Sequence, residues 1–247
     1  MKNQFKFLAA LLALVVGIAS VQAADIYNNS TTDTGNRLTF TNGQIIGQEI
    51  IPDSTALAGS PYLTSFSFEY YSPNSSFSGS VQAEVKFYLN NGTPFNGFGS
   101  PGTAFYDSGW FSLAAPLSFG PSVATIPFGL PELYLGGPSG AVTPLDFTFA
   151  MPSDFTVVYS FQGLSGSDSI GLASFNAPGL PSVGLNNADY WVKNGGSWEL
   201  DTNTAGPIAF GMVFSGSPEP APEPTVLGLG AMGLVVMARL IQRRKQQ

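Results

Sequence analysis

Length, composition and charge exclude several classes of protein for this chain. Its 247 residues are 13% aromatic and only 10% charged, which excludes disorder driven by charge repulsion. Cysteine and histidine are absent, which excludes disulfides, thiolate nucleophiles, Cys/His zinc sites and histidine-dependent triads.

Charge is distributed unevenly along the chain. The whole chain carries −7, but the stretch from Asp25 to Ser217 holds three basic and fourteen acidic residues, a net charge of −11. So acidic a segment has no basic surface with which to neutralise phosphates. We therefore expect no binding to nucleic acid and no direct adhesion to anionic lipid.

Residues 1–23 have the three parts of a secretion signal. Lys2 and Lys6 make the start positive, and residues 7–18 are apolar but too short to span a bilayer comfortably. Val21 and Ala23 occupy the −3 and −1 positions of a cleavage site. We predict export by the secretion machinery and cleavage by signal peptidase after Ala23; an uncleaved anchor or a core helix is the alternative.

Residues 24–216 alternate apolar and polar side chains with a period of two, which is typical of strands with one buried face. The alternation is clearest in Leu63–Tyr71, Val81–Leu89, Phe155–Phe161 and Ile208–Phe214. Gln44–Ile51 and Leu145–Phe149 are further candidate strands, and no helical periodicity is evident. The pattern predicts an all-β domain, an antiparallel two-sheet β-sandwich of jelly-roll type, with a closed barrel as the alternative.

The carboxylates of this domain suggest two kinds of site. Glu69 and Glu84 fall on the polar faces of strands that could be neighbours, so they could approach as a glycosidase pair does; two solvated charges are the simpler interpretation. Candidate oxygen ligands for a structural calcium ion are Asp107, Asp168, Asp189, Asp201 and Asn203. We predict no catalytic residues, no cofactor and no enzymatic activity.

A pair of tryptophans suggests a sugar platform. Tyr190, Trp191 and Trp198 flank the turn residues Asn194-Gly195-Gly196 in a candidate hairpin. Exposed aromatic rings could stack on sugars, whereas tryptophans in a sandwich more commonly pack in the core. Both interpretations are open at this point.

Residues 217–247 have three parts in a fixed order. A proline-rich stretch comes first and contains two Pro-Glu-Pro copies, Pro218-Glu219-Pro220 and Pro222-Glu223-Pro224. An apolar segment over 225–241 follows and predicts one short transmembrane helix. The basic tail over 239–247 contains Arg239, Arg243, Arg244 and Lys245, which should stay on the cytoplasmic side.

This C-terminal arrangement closely resembles the PEP-CTERM sorting signal. The resemblance implies recognition by an exosortase, a membrane-embedded transpeptidase-like enzyme of Gram-negative bacteria that make exopolysaccharide. A plain tail anchor with a proline linker is the alternative.

Together these features predict an exported, non-enzymatic protein of the cell surface or extracellular matrix. It would be membrane-anchored before processing and associated with exopolysaccharide. A carbohydrate-binding module is the alternative function, and a secreted hydrolase is a third.

Overall fold

Two antiparallel sheets make up the part of the chain that the computed structural model describes, residues 23–115, 121–127, 151–176, 180–187, 189–201 and 208–218. The six-stranded sheet contains β1 (Ala24–Asn28), β2 (Asp33–Phe40), β4 (Tyr62–Tyr71), β8 (Ser122–Pro127), β10 (Ile170–Phe175) and β14 (Met212–Ser217). Its order is β1-β14-β4-β10-β2, with β8 also paired to β4.

The eight-stranded sheet contains β3 (Ile45–Ile51), β5 (Gln82–Tyr88), β6 (Ala104–Asp107), β7 (Phe111–Ser112), β9 (Phe155–Gln162), β11 (Leu185–Asn186), β12 (Tyr190–Asn194) and β13 (Ser197–Asp201). Its order is β13-β12-β3-β9-β5-β6, with β11 paired to β3 and β7 to β5. The prediction of an all-β fold with two antiparallel sheets is confirmed.

Aromatic side chains from the facing sides of the two sheets form the core. Phe66 of β4 and Phe214 of β14 are fully buried. The ring centroid of Phe87 of β5 lies 5.3 Å from that of Phe66 and 5.3 Å from that of Phe214. Phe155 of β9 also lies 5.3 Å from Phe214. Burial of each such ring stabilises the fold by about 2–3 kcal/mol, so the core holds the sheets together without disulfides.

The predicted alternation is present throughout β5 and from Phe66 to Tyr71 of β4, where every second residue is buried. Strand β9 differs, because its outward-facing residues are buried as well. One of them, Thr156, donates a hydrogen bond of 2.7 Å to Asn90 Oδ1. Asn90 belongs to the loop that follows β5. The outer side of the eight-stranded sheet is therefore partly covered by the chain itself.

The described residues also include a short helix that the periodicity does not predict, α1 (Ser54–Gly59). Asp53 caps it by accepting hydrogen bonds from the backbone N–H groups of Thr55 and Ala56. Six residues are too few to show a helical stripe. The candidate strand Leu145–Phe149 and the predicted signal and transmembrane helices lie outside the described residues.

Candidate functional site: a cleft on the outer face of the eight-stranded sheet

Trp191 lies on the outer face of the eight-stranded sheet, away from the core. It pairs with Leu200 of β13 on one side and with Gly47 of β3 on the other. A side chain at Gly47 would collide with Thr156 Cγ2, 2.7 Å from the position that its Cβ would take. Glycine at this position therefore lets the Thr156 side chain pack directly against the backbone of β3.

The outer face is concave. Tyr88 of β5 and Trp198 of β13 are separated by four strand spacings, which in a flat sheet would amount to about 19 Å. Their ring centroids are 6.1 Å apart. The sheet must therefore curve toward its outer side, so that side chains from distant strands meet there.

A short hairpin between β5 and β6 covers Trp191. Phe95 and Phe98 exchange backbone hydrogen bonds of 2.9 and 3.0 Å across Asn96 and Gly97, whose φ angles are 52° and 88°. Two successive positive φ angles define the type I′ turn that Asn-Gly favours. The Phe95 ring packs edge-on against Trp191, with centroids 6.5 Å apart.

Beside this hairpin is a pocket of about 200 Å³, here called the outer cleft. Its lining residues come from β3, the Phe95–Phe98 hairpin, the segment before β12, and β12 and β13. They are Glu49, Phe98, Asn187, Asp189, Trp191 and Leu200. Phe98 is 50% exposed, so a large apolar ring faces solvent at the rim of the cleft.

The outer cleft is electronegative. Burial raises the pKa of the Glu49 carboxyl; a 2.8 Å hydrogen bond from Asn187 Nδ2 opposes the shift and the nearby charge of Asp154 adds to it. Asp189 supplies a second carboxylate. None of the three basic residues between Asp25 and Ser217 lines the cleft. Arg37, on the six-stranded sheet, pairs with Asp33. Lys86 and Lys193 lie on the same outer face as the cleft, where Lys86 pairs with Glu84 and Asp107 and Lys193 lies over Trp198.

The three aromatic residues of the predicted sugar platform occupy different environments. Tyr190 points into the core and donates a 3.0 Å hydrogen bond to Asp201; burial raises its pKa to about 12. Trp191 lines the outer cleft but is only 1% exposed. Trp198 is half-buried, with Lys193 Nζ 5.4 Å from its ring centroid. The structure does not bring the three rings together as one exposed surface.

The candidate calcium ligands are also dispersed. Asp168 accepts three backbone hydrogen bonds, Asp107 pairs with Lys86, and Asp201 accepts from Tyr190. Asn203 lies outside the described residues. Across the described ranges, no three Asp or Glu residues are grouped so as to hold a metal ion.

The expectation that Glu69 and Glu84 could approach each other is wrong. Glu69 is on β4 of the six-stranded sheet and Glu84 on β5 of the eight-stranded sheet, and both alternate with core residues. Their carboxylates consequently lie on opposite outer faces of the sandwich with the core between them.

The sorting residues lie almost wholly beyond the described part of the chain. Pro218 is exposed and directly follows β14, whereas Glu219, Pro220, Pro222, Glu223, Pro224 and the basic tail lie outside the described residues. The described residues include no helix with the length and apolar character needed to cross a bilayer.

Sequence reasoning did not identify Glu49, Phe98 or Asn187 as site residues. A signal for Phe98 was present, since Phe95-Asn96-Gly97-Phe98 is a two-residue hairpin pattern. Glu49 and Asn187 carry no such local signal, because their 2.8 Å contact joins residues 138 positions apart.

Comparisons with protein-family models, with curated proteins and with solved structures give no match to this chain.

Proposed function

We propose that this chain is an exported, non-enzymatic protein of the cell surface or extracellular matrix, sorted by an exosortase and associated with exopolysaccharide. One observation carries the proposal: two Pro-Glu-Pro copies, an apolar segment and a cluster of Arg and Lys follow one another at residues 218–247, in a chain that also begins with a predicted secretion signal. The exosortase would act on the tail while the transmembrane helix predicted for residues 225–241 holds it in the membrane.

The positions of the first and last strands support this organisation. Strand β1 starts at Ala24, the first residue after the predicted signal cleavage site, and β14 ends at Ser217, just before Pro218. The two strands are antiparallel neighbours, with Ala24 opposite Gly216. The predicted signal and the predicted sorting segment would therefore join the sandwich at the same end.

The strand order supports the finer proposal of jelly-roll connectivity. Eight of the strands form two interleaved sets of four, in the orders β1-β14-β4-β8 and β3-β9-β5-β6. In each sheet a later strand thus lies between two earlier ones, β14 between β1 and β4 and β9 between β3 and β5, as in paired Greek keys. The other strands extend these two sheets.

A non-enzymatic role is supported by the chemistry of the domain. The chain has no histidine or cysteine to act as base or nucleophile, and the most plausible carboxylate pair is split between two faces. Surface display needs a stable domain that tolerates an oxidising exterior, and a core built from aromatic packing meets that need.

Substitution of the two motif glutamates tests the proposal in the native host. We expect the double variant Glu219→Ala, Glu223→Ala to begin at Ala24, as the wild type does, but to retain its C-terminal segment and stay in the membrane fraction. The single variants show which copy is used. Glu199→Ala, an exposed glutamate on β13, is the matched control. Normal tail processing in the double variant would reject exosortase recognition.

A further inference from the structure

Within the described part of the chain, no other aromatic ring packs against Phe98 to explain its position at the rim of the cleft. Its hairpin partner Phe95 packs on Trp191, whereas Phe98 is half-exposed beside two carboxylates and an amide. An apolar ring next to a few convergent polar groups is the composition of a small-ligand site. The outer cleft therefore has a feature that neither the core nor the hairpin requires.

The charge of the cleft determines which ligands it can accept. Among the described residues, Glu49 and Asp189 line it and no basic side chain does, so an anionic sugar such as a uronate would be repelled. An ammonium group would be attracted by both carboxylates, and by the face of Phe98 through a cation–π interaction. The Asn187 amide offers a polar group for a hydroxyl.

The volume of the cleft limits the size of the ligand. At about 200 Å³ it is smaller than the roughly 300–1,000 Å³ of sites for drug-sized ligands, so it suits one sugar ring. Its open rim at Phe98, which is 50% exposed, would let further units of a polymer continue outward into solvent.

We propose that the outer cleft binds an amino-sugar unit of a polysaccharide in its ammonium form, with the ring against Phe98 and the ammonium group directed at Glu49 and Asp189. This proposal rests on the proposed function in one respect: export of the protein is what would bring the cleft into contact with an extracellular polysaccharide. Its geometry is independent of how the tail is processed.

Calorimetric titration of the purified full chain in neutral detergent micelles tests the site. The probes are a glucosamine oligomer, the same oligomer N-acetylated, an oligouronate and a lysine oligomer. We expect the glucosamine oligomer to bind about tenfold or more tightly than the other three. Phe98→Ala and Glu49→Gln should each weaken that binding by about tenfold, the effect of losing one charge-assisted or ring contact.

Matched controls replace similar residues on the other sheet. Val123→Ala removes an exposed apolar side chain from β8, and Glu69→Gln neutralises a half-buried glutamate of β4; neither should change affinity. Phe98→Trp should retain binding. Far-UV circular dichroism checks that each variant is folded.

Three results would overturn the proposal: no binding of the glucosamine oligomer to folded wild type, equal affinity for the acetylated or lysine oligomer, or equal loss in the control variants. The first two results are measured on the wild-type protein, so they test the proposal even if a substitution unfolds a variant. Normal sorting without sugar binding would reject the site alone; sugar binding without tail processing would reject the sorting proposal alone.

Discussion

Asp168 shows how a single side chain organises loops in this protein. Its carboxylate accepts hydrogen bonds from the backbone N–H groups of Ser78 at 2.7 Å, Gly79 at 2.8 Å and Ser165 at 3.1 Å. These bonds, that from Ser78 most strongly, lower the pKa of Asp168. The residue thus joins the loop before β5 to the loop after β9, and this use of its oxygens explains why it is a poor candidate for a calcium ligand.

The lowered pKa gives Asp168 a pH-dependent effect on stability. The stabilisation is fully present above the ordinary Asp pKa of about 3.9 and is lost as pH falls through the lowered pKa of the folded protein. We expect Asp168→Asn to melt at a lower temperature than wild type near neutral pH, with the difference shrinking as the solution is acidified. Thermal melts over an acid-to-neutral series measure this, with Glu199→Gln as a surface-charge control. A difference that stayed constant with pH would contradict the assigned role.

At the scale of elements, the Phe95–Phe98 hairpin covers the outer face of the eight-stranded sheet. Its turn depends on Gly97, whose φ of 88° is strained for any residue with a side chain. The hairpin shields Trp191 and presents Phe98, so the turn geometry and the outer cleft are physically linked.

Replacing the turn glycine should open this cover. Gly97→Ala is expected to destabilise the hairpin by about 1 kcal/mol and to expose Trp191. The measurement is acrylamide quenching of fluorescence in a Trp110→Phe, Trp198→Phe background, where Trp191 is the remaining tryptophan. Gly43→Ala is the matched control: Gly43 also has a positive φ, 77°, and open space around it. Unchanged quenching in Gly97→Ala would show that the hairpin does not depend on the turn.

The alternation of apolar and polar residues predicted the strands that bury one face. It did not predict features that depend on contacts between residues distant in the sequence. Strands β4 and β5 followed from alternation, and both Glu69 and Glu84 were correctly assigned to polar faces. Which sheet each strand joins depends on long-range pairing, so the expected approach of the two carboxylates was wrong. Strand β10 is buried on both faces and therefore has no alternation to detect.

The candidate site was only partly predictable, because its geometry also depends on contacts between residues distant in the sequence. Trp191 could be singled out because the chain has only three tryptophans, but its burial comes from Phe95, 96 positions earlier in the chain. The curvature that brings Trp198 to Tyr88 is a property of the assembled sheet and not of either strand.

At the scale of the whole molecule, the domain closes by pairing its first strand with its last. Strand β14 lies between β1 and β4 in the six-stranded sheet, so it is an interior strand. Its removal would expose one edge of β4 and leave β1 without its partner. Folding of the sandwich therefore needs nearly the entire segment from Ala24 to Ser217.

Two truncations test this closure. The fragment 24–217 is expected to be soluble and to give a β-rich far-UV circular dichroism spectrum with a cooperative melt. The fragment 24–211, which lacks β14, should fail to fold, because it loses the buried Met212 and Phe214 and an interior ladder. A helical spectrum for the longer fragment, or a cooperative melt for the shorter one, would contradict the fold as described.

The central claim is that an exported sandwich is processed at both of its ends. The most direct test is the intact mass of the protein recovered from the outside of its native host. The account predicts a chain that begins near Ala24 and ends within Pro218–Thr225, with or without an attached group. A chain that still carries Val226–Gln247 would contradict it, and would show that the C-terminal segment is a permanent anchor.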